Sequence, residues 1–132
     1  MSEVGNLLAD VHGLEPEVAA ALDVVFEQPE FTFEAKSKLK IPGAQEMNGT
    51  VIMKFPNTGD NLKIERVSRA LGGNQYAHML ATIAVCLVKA PASWYELKEG
   101  QKKPMLNLER LPDDVVLADL FAAFLDWQRT FR

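Results

Sequence analysis

The side chains that could do chemistry are few and scattered. The chain holds two histidines, His12 and His78, and one cysteine, Cys86. Nucleophilic catalysis needs a Ser, Cys or Thr beside a base that can take its proton, and the sequence offers no arrangement of that kind. A metal centre needs several donors converging on one point, and neither histidine has another His or Cys at ligand spacing. Asp113 and Asp114 are the right types for a general acid and base. Neighbours at a helix start point in different directions, however, and their charge suits the positive end of the helix dipole. Gly72-Gly73 falls between two helical segments and lacks both the Gly-Lys-Ser/Thr ending and the Gly-x-Gly-x-x-Gly spacing of phosphate loops. Its expected task is left-handed backbone between antiparallel helices. His78, inside an apolar segment, reads as a core or interface histidine, and Cys86 as a buried structural thiol. The inventory holds no catalytic, cofactor-binding or metal-binding residue, so the expectation is a binding protein and not an enzyme.

The aromatic residues are better organised. Leu117, Leu120, Phe124, Trp127 and Phe131 recur at 3-4-3-4 spacing, which winds an apolar stripe along one helix face. Val116, Phe121 and Leu125 widen that stripe. The chain stops one residue after Phe131. Such a helix either completes the core or docks on another chain. Trp94-Tyr95, just beyond an apolar segment, has the same two readings, since Trp and Tyr serve as interface anchors. The residues expected at a protein interface are therefore Trp94, Tyr95, Leu117, Phe124, Trp127 and Phe131. Self-association through the terminal helix follows, with strand edges joining it unless lysines block them.

These residues need a scaffold, and the periodicities supply one. Val18, Leu22, Val25 and Phe26 follow helical spacing behind Pro16, predicting a helix over 15–28 that Pro29 ends. Phe31, Phe33, Ala35, Ser37, Leu39 and Ile41 alternate with Thr32, Glu34, Lys36, Lys38 and Lys40, predicting a half-buried strand over 31–41. A second strand is expected over 49–55, with Val51, Met53 and Phe55 on one side. Pro56 to Asp60 is turn and cap chemistry that opens a helix over 60–71. The next helix, 74–89, is apolar nearly all round and should be the centre of the core. Residues 91–111, with Pro91, Gly100 and Pro104, read as a long surface loop. A terminal helix follows over 112–130. The expected fold is α+β: a small antiparallel hairpin packed with four main helices, in a single domain spanning 1–132, with 1–14 a flexible N-terminal segment.

Composition narrows the class. The chain has 132 residues, enough for one domain with a core and short for two. Residues 1–30 carry seven acids and no Lys or Arg, so the basic start of a signal peptide is missing. With no apolar run near 20 residues, the expectation is a cytoplasmic protein. The remaining residues carry 14 bases against 11 acids, too weak a surplus for a nucleic-acid face. No nucleic acid and no membrane are expected among the partners. The acidic start is expected near basic groups of the same or a neighbouring subunit.

The order of features resembles the tail assembly chaperones of long-tailed, siphophage-type bacteriophages. The residues that carry the resemblance are Lys54-Phe55-Pro56 with Thr58-Gly59-Asp60, Pro91-Ala92-Ser93-Trp94, and Asp126-Trp127-Gln128 with Phe131. It covers roughly residues 30–132. The resemblance implies a non-enzymatic protein of the infected host bacterial cytoplasm, without cofactors. Its partners would be the tape measure protein and the tail tube protein during tail morphogenesis, and it would form a homo-oligomer. Chaperones of this type often have a short and a frameshifted long form, and the end at Phe131-Arg132 is compatible with a short one. The alternatives are a structural subunit of a phage tail, neck or baseplate, or a small enzyme or ligand-binding domain without a recognisable motif.

Overall fold

The alternation that begins at Phe31 becomes strand β1, Glu30–Ala35, in a computed structural model that describes residues 24–132. It pairs antiparallel with β2, Gly49–Lys54, in a register that sets Phe33 opposite Val51 and Phe31 opposite Met53. Side chains of period two therefore sort cleanly. Val51 and Met53 are fully buried, Phe31 and Phe33 half-buried, and Thr32, Glu34 and Thr50 exposed.

β1 is shorter than the expected 31–41 because its partner leaves. The chain before Gly49 is a 3-10 turn, Ala44–Met47. Past Ala35, the Ser37 N–H donates to Asn48 Oδ1 at 2.7 Å and its hydroxyl donates to Asp113 Oδ2 at 2.6 Å. Residue 37 is thus tied to the turn and to the terminal helix instead of a strand. Leu39 and Ile41, expected on the buried side, are exposed. Gly49 has φ +148°, and a Cβ there would lie 2.9 Å from Pro91 Cγ, so this crossing requires glycine.

Helix α1, Thr58–Ala70, opens with a capping box. Asn57 Oδ1 accepts from the Asp60 N–H at 2.8 Å, and Asp60 Oδ2 accepts from the Asn57 N–H at 3.0 Å. Gly72 and Gly73, both at positive φ, close it: the Gly73 N–H donates to the Ser68 carbonyl at 2.8 Å. Asn74 then caps α2, Gln75–Cys86. The expected helix 74–89 stops early. Leu87 turns to extended backbone, and Leu87–Lys89 becomes β3 on the free edge of β2. The sheet order is β1-β2-β3, three strands where a hairpin was expected. The edge of β2 had unpaired backbone groups, and satisfying them outweighs continuing a helix through Val88 toward Pro91.

The stretch read as surface loop, 91–111, is folded. Tyr95–Glu96 (β4) pairs with Met105–Leu106 (β5), 3-10 turns cover Ala92–Trp94 and Leu108–Arg110, and Trp94 is fully buried. Helix α3, Asp114–Arg129, completes the core with Val116, Leu117, Leu120 and Phe124. α2 supplies Met79, Leu80, Ala81, Ile83 and Cys86 to the same cluster.

Three α-helices lie among the described residues, against four expected. Of the helix expected over 15–28, residues 15–23 lie outside the described residues, as does the expected flexible segment 1–14. Residues 24–28 are described and are not helical. A proline disfavours the helical region for the residue before it, here Gln28. Gln28 Nε2 donates instead to the Phe55 carbonyl at 2.9 Å and to Asp60 Oδ2 at 2.8 Å. No described helix is long and apolar enough to cross a membrane.

Candidate functional site

The terminal stripe of α3 meets the phenylalanines of the hairpin end to end. Phe31 lies 5.9 Å from Phe124 and 5.4 Å from Trp127, centroid to centroid. Trp127 stacks on Phe124 at 5.7 Å and takes Phe131 edge-on at 5.1 Å. Phe55, just past β2, closes the group at 6.0 Å from Trp127 and 5.6 Å from Phe131. The tilted and edge-on geometries are those that aromatic quadrupoles favour. The row runs from the core to the surface: Phe124 is buried, Trp127 half-buried, and Phe131 53% exposed. The Arg132 guanidinium sits 5.9 Å over the Phe55 ring, a cation–π contact at the rim.

The polar side of this end is anchored by Asp60. Its carboxylate accepts from Asn57 and Gln28 and pairs with Lys54 at 3.4 Å. Burial pushes its pKa up. The hydrogen bonds from Asn57 and Gln28 and the Lys54 charge outweigh that, and hold it below the usual value of 3.8. Through Gln28 this network fixes where the chain enters β1. Val24, Val25 and Phe26, directly upstream, expose large apolar side chains, Phe26 to 88%.

The six residues expected at an interface therefore separate. Trp94, Leu117 and Phe124 are enclosed in the core of the chain itself, and Tyr95 is half-buried beside it. Trp94 Nε1 donates to the Met47 carbonyl at 2.9 Å, so this tryptophan holds the β1–β2 connection in place. Trp127 and Phe131 reach the surface, together with Phe55 and the upstream Val24–Phe26. Those last residues belong to no stripe of α3. Val25 and Phe26 carried the helical spacing expected over 15–28, and Phe55 continued the apolar side of β2 up to Pro56.

Of the chemistry-bearing residues, Cys86 is buried and Asp113 and Asp114 stand at the start of α3 as expected, while His78 lies outside the core. His78, expected in the core or at an interface, is outside the core and exposed, with its ring edge-on to Phe121 at 6.2 Å. It lines a groove of about 620 Å³ with Glu65, Ser68, Arg69, Phe121 and Leu125. Helical phase decides this: Ala77, Met79, Leu80 and Ile83 take the inward faces of α2. His12 lies outside the described residues. Burial, with the Asp60 charge adding to it, pushes the Cys86 thiol up to about 12, so it stays protonated and unreactive. Asp113 accepts from the Val115 N–H at 3.1 Å and from Ser37, while Asp114 accepts from the Tyr76 hydroxyl at 3.1 Å. The adjacent carboxylates serve separate structural bonds. Among the described residues no group of three His, Cys, Asp or Glu could hold a metal ion.

Comparison with protein-family models, with curated proteins and with solved structures finds no match to this chain.

Proposed function

We propose that this protein is a non-enzymatic assembly chaperone of the phage tail type, which holds an apolar, largely helical partner in solution in the host bacterial cytoplasm. The observation that carries the reading is the surface end of the aromatic row, where half-buried Trp127 and Phe55 meet the exposed Phe131; Val24, Val25 and Phe26, just upstream of β1, also expose large apolar side chains. Trp and Phe enriched in one patch are the anchors that protein interfaces use. The resemblance through Lys54-Phe55-Pro56 and Asp126-Trp127-Gln128 with Phe131 names the partner: the tape measure protein first, with the tail tube protein recruited to the complex. Apolar stripes of the partner would bury against the row while Arg132, Arg129 and Asp126 stay in water at its rim.

Co-expression with the tape measure protein of the same genome tests this. The chain should raise the partner's soluble fraction, and Phe131→Ala should lose most of that effect. Binding driven by apolar burial should change little when salt is raised to about 0.5 M. Equal insolubility of the partner with and without the chain sinks the proposal. Stoichiometric presence of this chain in finished tails would make it a structural subunit instead.

A further inference from the structure

The sheet order leaves β1 with one strand neighbour, so its outer edge has no strand partner among the described residues. Which backbone groups point out along that edge is fixed. The Phe55 N–H donates to the Pro29 carbonyl at 2.8 Å, and Pro29 stands opposite Phe55 in the β1–β2 register. In an antiparallel ladder alternate residues turn both backbone groups to the same neighbour. Phe31, Phe33 and Ala35 therefore face β2, while Glu30, Thr32 and Glu34 present their N–H and C=O outward. No backbone hydrogen bond to another element engages these three among the described residues.

Charge along the edge is polarised. Glu30 and Glu34 lie within β1, Lys36 follows directly after its last residue, and Lys38 and Lys40 come after the chain has left the sheet at Ser37. All five are exposed, and none takes part in the ion pairs present among the described residues. An edge with a carboxylate at its first residue and an ammonium just past its last complements itself when paired antiparallel. We propose that the outer edge of β1 is a two-fold interface with a second copy of this chain, joining two three-stranded sheets into one.

The register follows from the same residues. A two-fold pairing must match outward residues with outward residues, so the middle pair is Thr32 with Thr32, Thr32 with Glu34, or Glu34 with Glu34. The first puts Glu30 opposite the partner's Glu34, and the third puts two Glu34 side chains face to face. Like charges directly opposite are destabilising. The second puts Glu30 opposite the partner's Lys36, and does so twice by symmetry. It also sets the two Phe33 residues opposite each other on the core side, in the pair type whose Cα atoms come closest, about 4.5 Å. Phe33 is half-buried in the single chain, and its open side would be covered there. Lysines on an edge normally keep strands apart. Here Lys36, the one next to the strand, would meet the partner's Glu30. The inference is independent of what the aromatic row binds.

Sedimentation velocity of the full chain at low salt tests the interface, with variants chosen by side. Thr32→Pro removes an outward N–H and leaves the β1–β2 ladder intact, since proline is tolerated on the free side of an edge strand. It should give a monomer with an unchanged far-UV circular dichroism spectrum. Glu30→Lys alone and Lys36→Glu alone should each weaken the dimer roughly tenfold, by placing like charges opposite one another. The double variant Glu30→Lys with Lys36→Glu should restore wild-type affinity, and this rescue stands as the test even if Thr32→Pro fails to fold. A wild type that stays monomeric at about 100 micromolar overturns the proposal, since so weak a contact is not a specific dimer. A dimer untouched by Thr32→Pro, or single charge variants that the double swap does not rescue, overturns it equally.

Discussion

Asp60 shows how much one side chain holds at the end of the molecule where the aromatic row surfaces. It closes the capping box of α1, accepts from Gln28 and pairs with Lys54. Asp60→Ala should lower stability by about 1–3 kcal/mol at neutral pH, read by urea denaturation. The sign of its pH dependence follows from a folded pKa held below 3.8. The stabilisation is complete above that value and is lost as pH falls through the folded pKa, so the gap between wild type and variant should close below about pH 4. Trp94 carries a comparable burden in the core. Its indole N–H satisfies the Met47 carbonyl, with both residues essentially without exposure. Trp94→Phe leaves that carbonyl unpaired and should cost about 1–3 kcal/mol, with near-UV circular dichroism reporting a loosened β1–β2 connection.

Two elements meet where only a small residue fits. β2 begins at Gly49, against Pro91 at the exit of β3, and its positive φ would strain any side chain. Gly49→Ala should therefore destabilise by about 1–3 kcal/mol, seen as a lower thermal midpoint, and most of the loss should appear as faster exchange of β2 and β3 amides. α2 is the element whose packing matters most. Ile83 is fully buried, and Ile83→Ala should cost about 2–5 kcal/mol through lost burial and the cavity left behind. Leu87, which the expected helix 74–89 would have included, is only half-buried, because it lies in β3 opposite Met53. Leu87→Ala should cost less than Ile83→Ala, and chemical denaturation of the pair decides whether the end of α2 is rightly placed.

In the molecule as a whole, one aromatic row serves both folding and surface. Trp127 is half-buried against Phe31, Phe55, Phe124 and Phe131, so Trp127→Ala should cost stability, about 3–5 kcal/mol if the contacts behave as core. Phe131 lies at the exposed end. Phe131→Ala should leave the melting temperature within a few degrees of wild type and still reduce partner capture, which makes it the cleaner probe. The two proposed surfaces should also separate by salt. Raising salt to about 0.5 M should weaken the β1 edge contact, where exposed charges are screened, and spare apolar binding at the row.

The parts of this protein legible in its sequence are those that a local period determines. Period two from Phe31 placed β1 and its wet face, and the Asn57–Asp60 and Gly72-Gly73 punctuation placed both ends of α1, because capping and backbone handedness act within a few residues. The stripe of α3 was likewise plain, with Trp127 and Phe131 among its members. What the stripe could not say is which of its residues another part of the same chain would cover. Leu117 and Phe124 are enclosed by the hairpin and α2, and Trp94 by the turn at Met47, through contacts between segments distant in sequence. Helix 74–89 ended at Cys86 for the same reason: the bare edge of β2, more than thirty positions upstream, claimed Leu87–Lys89 as a strand. Phe55 joined the aromatic row only once β2 and the end of α3 had come together, and Gln28 ties the start of β1 to that same end through the Phe55 carbonyl and Asp60. Burial and strand partnership are properties of the assembled chain, since the free energy of covering a side chain or pairing an edge depends on what arrives from elsewhere.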